Sequence, residues 1–93
     1  MKKYAYPAVI YYNSEAECYC VAIEELGIFC DGETVEQAHE RAREFLGAYL
    51  EFALAENIEI AQPASFKEVV LNNPKQLVVL VESIINDKNK VVI

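Results

Sequence analysis

The sequence predicts an α+β fold, a mainly antiparallel sheet in the order β-β-β-α-α-β with the main helix packed on one sheet face. Three observations carry this: strand-like apolar runs crowd into the first 32 residues, one long helical stripe follows them, and a further apolar run comes near the end. Ninety-three residues, 54% hydrophobic and 25% charged with three Gly and three Pro, hold a single core and exclude a disordered, collagen-like or low-complexity chain.

Taken in order, Tyr4-Ala-Tyr-Pro-Ala-Val-Ile-Tyr-Tyr12 is rich in β-branched and aromatic residues and stops at the turn-forming Asn13-Ser14-Glu15. Pro7 offers no ladder donor, which places it near an edge or a bulge rather than between two paired neighbours. Glu17-Cys-Tyr-Cys-Val-Ala-Ile23 returns as the second arm of a hairpin. Leu26-Gly-Ile-Phe-Cys30 is a short third strand, closed by the turn signal Asp31-Gly32.

Thr34-Val-Glu-Gln37 has the capping-box pattern, so a helix of about 20 residues starts there. At 100° per residue, Val35, Ala38, Ala42, Phe45, Leu46, Tyr49, Leu50, Phe52 and Ala53 share an arc of roughly 160°, and a stripe that wide needs a sheet to cover it. After a connector over 57–63, Ser65-Phe-Lys-Glu68 repeats the capping logic for a short second helix that Pro74 stops. Leu77-Val-Val-Leu-Val81 has five consecutive apolar residues, the mark of a strand buried on both faces or central in a sheet, and it should join the same sheet. These elements make one domain, 1–85, and the polar stretch that follows reads as a flexible tail, 86–93, with no room for a DNA-binding domain.

Fifteen acids against eight bases give a net charge of −7, the wrong sign for binding a polyanion by counterion release. The excess lies in residues 1–62, net −8, while 63–93 carry +1. A basic partner is the natural complement. No apolar run reaches the 18 or so residues of a membrane span, and Lys2-Lys3 lead into Tyr-Ala-Tyr-Pro rather than a signal-peptide core, so a cytoplasmic protein without membrane attachment is expected. Three cysteines without CxxC spacing read as reduced thiols.

The pieces in sequence resemble the HicB-type antitoxin family over about residues 4 to 83. The resemblance is carried by Tyr6-Pro-Ala-Val-Ile10, Cys18-Tyr-Cys-Val21, Gly27-Ile-Phe-Cys30, Asp31-Gly-Glu-Thr-Val-Glu-Gln-Ala38, Ile60-Ala-Gln-Pro-Ala-Ser65 and Val78-Val-Leu-Val-Glu82. It implies a partial RNase H-like fold and a role in binding and silencing a HicA-type toxin, a small basic ribonuclease that cleaves messenger RNA. Two departures stand out. The family's Pro-Asp-Leu-Pro-Gly-Cys turn is replaced by Glu24-Glu25-Leu26-Gly27-Ile28, and the C-terminal DNA-binding segment of many members has no counterpart in Lys88 to Ile93.

For a basic toxin, the expected contact residues are Glu24, Glu25, Asp31 and Glu33 near the third strand, with Glu36 and Glu40 on the helix. Enzymatic activity is not expected: two-metal hydrolysis on such a fold needs a first-strand carboxylate, and residues 4–12 contain no acid. No metal or other cofactor is expected either. Cys18, Cys20, Cys30 and His39 could be counted as a zinc set, but thiols two residues apart on an extended strand stand too far apart to share one ion. They read as thiols packing under the helix, and His39 as a half-buried packing residue. Both faces of Tyr4 to Tyr12 are apolar and one small helix covers one side, so Tyr4, Tyr6, Tyr11 and Tyr12 are expected at the interface of a homodimer or higher homo-oligomer. The alternative function is a stand-alone oligomeric domain, a binding adaptor or remnant with no toxin partner.

Overall fold

The computed structural model describes residues 1–92. In chain order it contains β1 (Lys2–Asn13), β2 (Cys18–Ile23), a 3-10 turn (Glu24–Leu26), β3 (Ile28–Gly32), α1 (Val35–Ala55), α2 (Phe66–Asn72), β4 (Leu77–Ile85) and β5 (Val91–Val92). The strands form one antiparallel sheet in the order β3-β2-β1-β4-β5, with α1 on one face.

The longest apolar run, β1, takes a central place because it can pair on both sides. Asn13 closes its hairpin with β2: Asn13 Oδ1 accepts from the amides of Glu15 and Ala16 at 3.0 and 3.1 Å, a local alternative to ladder bonds that ends the strand. Pro7 lies opposite Leu80 of β4, while the pairing of β1 with β2 runs from Val9 to Asn13. Because Pro7 has no N–H to give Leu80, that carbonyl needs another donor, and His39 Nε2 of α1 lies 3.2 Å from it.

Alternation along the strands sorts the sheet into two faces. On one, Tyr6, Ala8, Ile10, Val21, Ile23, Ile28, Val81 and Ile85 pack with Ala38, Ala42, Leu46 and Leu50 of α1. Leu46 and Leu50 have no exposed surface, and each such burial contributes about 1.5–3 kcal/mol. The helix start makes the first half of the capping pattern and departs from the second: Thr34 Oγ1 accepts from the Gln37 amide at 3.0 Å, while Gln37 Oε1 reaches past Thr34 to accept from the Glu33 amide at 2.6 Å.

Four expectations need correction. Phe45 and Phe52 are 50% and 58% exposed, because they lie at one margin of the apolar arc, beyond the buried line of Ala38, Ala42, Leu46, Leu50 and Ala53. Of the two readings of the β4 run, a place inside the sheet holds, between β1 and β5, and burial on both faces does not: Leu77, Leu80 and Ile84 are exposed, and β5 reaches only the far end of the strand, at Ile84 and Ile85. The second helix forms without its predicted cap, since Ser65 makes no side-chain capping bond.

Finally, the tail does not hang free. Asn86 Oδ1 accepts from the amides of Lys88 and Lys90 at 2.9 and 3.0 Å, and this turn returns the chain as β5. The Val91 amide then donates to Glu51 Oε2 at 2.6 Å, and the Val91 side chain fills the space that the missing Cβ of Gly47 leaves on α1. Ile93, the last residue of the expected tail, lies outside the described residues.

Candidate functional site

The six acids proposed from sequence do not form one patch. Glu24 and Glu25 belong to the 3-10 turn after β2, which Gly27 ends in the left-handed region at φ 65°. They line a cleft of about 150 Å³ on the sheet face away from α1, together with Pro7, Val9 and Ala22. Glu36 and Glu40 ride on α1, against the opposite face. Asp31 on β3 and Arg41 on α1 tie these two regions together, with Arg41 Nη1 donating to the Asp31 carbonyl at 3.0 Å and standing 3.4 Å from its Oδ1. Arg43 likewise holds Glu40, at 2.6 Å.

Two of the six carboxylates therefore already have an arginine beside them. Among the described residues, no salt bridge joins Glu24, Glu25, Glu33 or Glu36 to a base. The sequence reading missed Glu68. In sequence Glu68 reads as part of a capping box, but the box does not form, and Glu68 lines the cleft with Glu24 and Glu25. No local signal pointed there, because the three acids meet only when α2 crosses the sheet.

A larger cleft of about 380 Å³ opens where β1 begins, lined by Lys2, Lys3, Tyr4, Leu54, Ile58 and Ile60 among others. It is the basic corner of the molecule: Lys3 pairs with Glu82 at 2.8 Å, and the Lys2 ammonium lies 5.0 Å from the centre of the Tyr4 ring.

The tyrosines separate in the same way. Tyr6, expected at a subunit interface, is 1% exposed and has no surface to give: its ring is in the core and its hydroxyl donates to the Ala61 carbonyl at 2.6 Å, anchoring the connector. Tyr4 is half-buried against the core. Tyr11 and Tyr12 are exposed, on opposite faces, and Tyr12 packs edge-on against Tyr19 with ring centres 5.2 Å apart. The premise of a single covering helix also fails, because α2 packs on the second face and shields Pro7, Val9 and Ala22.

Burial, reinforced by Tyr4, Tyr49 and Glu25, raises the Tyr6 pKa. The folded chain then keeps a proton that the unfolded chain loses above pH ~10, so this contribution is complete below that pH and is lost as pH rises through the folded value. Tyr6→Phe should cost about 1 kcal/mol at neutral pH through the lost hydrogen bond. The gap to wild type should narrow above pH ~10, as urea titrations over a pH series would show. A gap that stays constant to the alkaline limit would count against a buried, titrating Tyr6.

Two of the three thiols are shifted by their surroundings. Burial and then Asp31 push the Cys30 thiol up, against the opposing pull of Arg41, and burial with a bond from Cys20 pushes Cys18 up. Raised thiols are poorly ionised at neutral pH. Cys30 packs against the core, but strand pairing puts Cys18 and Cys20 on the face away from α1, so only one of the three sits under that helix. Among the described residues, no group of three or more His, Cys, Asp or Glu is placed to hold a metal ion.

Comparison with known proteins decides what kind of molecule carries these features. The family model described as HicB_like antitoxin of bacterial toxin-antitoxin system matches residues 6–91. The chain belongs to this family. Two solved structures similar to this HicB-like chain have a TM-score of 0.74: the Burkholderia pseudomallei antitoxin HicB, 17% identical over 97% of this chain and 67% of that one, and a toxin-antitoxin complex from Streptococcus pneumoniae, 20% identical over 87% and 69%. The N-terminal domain of the Burkholderia pseudomallei antitoxin is similar with a TM-score of 0.70 and 17% identity, over 83% of the HicB-like chain and 94% of that domain. A comparison with curated proteins found no match. No helix of this HicB-like structure is long and apolar enough to cross a membrane among the described residues.

Proposed function

We propose that this chain is an antitoxin of the cytoplasm that binds a small basic HicA-type toxin and blocks its cleavage of messenger RNA by occlusion, with no bond-breaking step of its own. The observation that carries this reading is the family match over residues 6–91. The toxin-antitoxin complex from Streptococcus pneumoniae, similar in fold, supports a protein partner, and the net charge of −7 supports a basic one. Surface points the same way. The chain exposes 6255 Å², against about 5,400 Å² for a typical folded monomer of this mass, and the excess includes Phe29, Phe45, Phe52, Leu71 and Leu80.

A partial RNase H-like description of the fold, and a homodimer formed through exposed sheet residues such as Tyr11, Leu80 and Ile84, belong to the same proposal. Co-expression with a small basic HicA-type toxin tests it. The two should co-purify as a complex that survives size exclusion at physiological salt. Separate elution of two folded proteins would remove the toxin partner.

A further inference from the structure

The smaller cleft joins two chemistries seldom found together on an acidic surface. Its floor is apolar, from Pro7, Val9 and Ala22, and its rim carries the carboxylates of Glu24, Glu25 and Glu68. None of the three is in a salt bridge among the described residues, and no lysine or arginine of the chain lines the cleft. Glu25 Oε2 is buried with no hydrogen-bond partner among the described residues, a state that is costly until a donor reaches it. Beside the floor, Phe29 stands next to Ala22 in strand register and is 64% exposed.

We infer that this cleft receives the guanidinium of an arginine from the basic protein partner, with Phe29 as the adjoining apolar contact. A cleft of about 150 Å³ takes one side chain and is well short of the roughly 300–1,000 Å³ of a small-molecule site. Arginine fits better than lysine. Its planar head is weakly hydrated, so its faces lie on Pro7 and Val9 at small desolvation cost while its forked donors reach two carboxylates at once. The identity of the arginine's owner rests on the antitoxin reading, which this inference deepens.

The test uses Nα-acetyl-arginine amide as probe and the uncharged citrulline derivative as control, with the amide resonances of the full chain as readout. Saturable shifts are expected at Ala22, Glu25 and Val69 with the arginine probe in the millimolar range, and none with citrulline. Glu25→Gln with Glu68→Gln should weaken the apparent affinity about tenfold or more, as expected for loss of charge-assisted bonds. Glu68→Gln alone, on an exposed helix position, should show a smaller loss in the same direction in a chain whose fold is untouched. Shifts that fail to saturate, spread equally to Glu36 and Glu44, or survive in the double variant overturn the inference. Because the probe needs no toxin, saturable binding without any toxin co-purifying would keep the cleft and remove the antitoxin reading.

Discussion

Replacing Gly32 by alanine should destabilise the chain by about 3 kcal/mol or more, the upper end of what overpacking costs. A Cβ there would stand 2.5 Å from the Ala38 backbone nitrogen, 2.9 Å from its Cα and 2.9 Å from the Gln37 carbonyl carbon. These are backbone atoms of the first turns of α1, so no side-chain rotation relieves the clash. Either β3 or the whole helix start must retreat. Retreat would loosen the packing around Ala38 and Ala42, both without exposed surface, and pull Asp31 from Arg41. For a domain of this size the loss corresponds to a fall in Tm of roughly 12–24 °C. Denaturant titration should show a lower midpoint with an unchanged slope. A cost under about 1 kcal/mol would mean that the strand and helix are not held at this distance.

The second large effect concerns the partner. Reversing Glu24, Glu25 and Asp31 together to lysine should weaken toxin binding by about 100-fold at low salt, with a smaller difference as salt screens the field. Reversing Glu44, Glu56 and Glu59 changes the net charge by the same amount and serves as the control, because these acids are exposed on and after α1, away from the cleft. Location is then separated from total charge. Equal losses in both triples would reduce the contribution of Glu24, Glu25 and Asp31 to a general attraction, and no loss in either would remove electrostatics from recognition.

Much of the architecture could be read from local chemistry. Asn13 stops β1 through its own side chain, and Thr34 and Gln37 start α1; each acts on neighbours in sequence. What failed depended on contacts distant along the chain. Tyr6 reads as one of several surface tyrosines until the connector arrives and Ala61 accepts its hydroxyl. Val91 reads as part of a loose end until Gly47 and Glu51 of α1 offer it a place. Phe45 and Phe52 satisfy helical periodicity, but periodicity measures the width of the apolar arc and not the width of the sheet beneath it.

The candidate site was legible in its chemistry and not in its geometry. The expectation of a cationic partner rests on the charge of residues 1–62 alone. That Glu24 and Glu25 meet Glu68 across a floor of Pro7, Val9 and Ala22, while Glu36 and Glu40 face elsewhere, is decided by which side of the sheet α2 covers. No spacing along the chain encodes it.

Occlusion is measured most directly by titrating this chain against a small basic HicA-type ribonuclease while that enzyme cleaves an RNA substrate. Cleavage should fall in proportion to added chain and stop near a fixed stoichiometric ratio, with the RNA left intact by the chain alone. Cleavage that continues unchanged in an excess of folded chain would contradict occlusion of a basic toxin as its function.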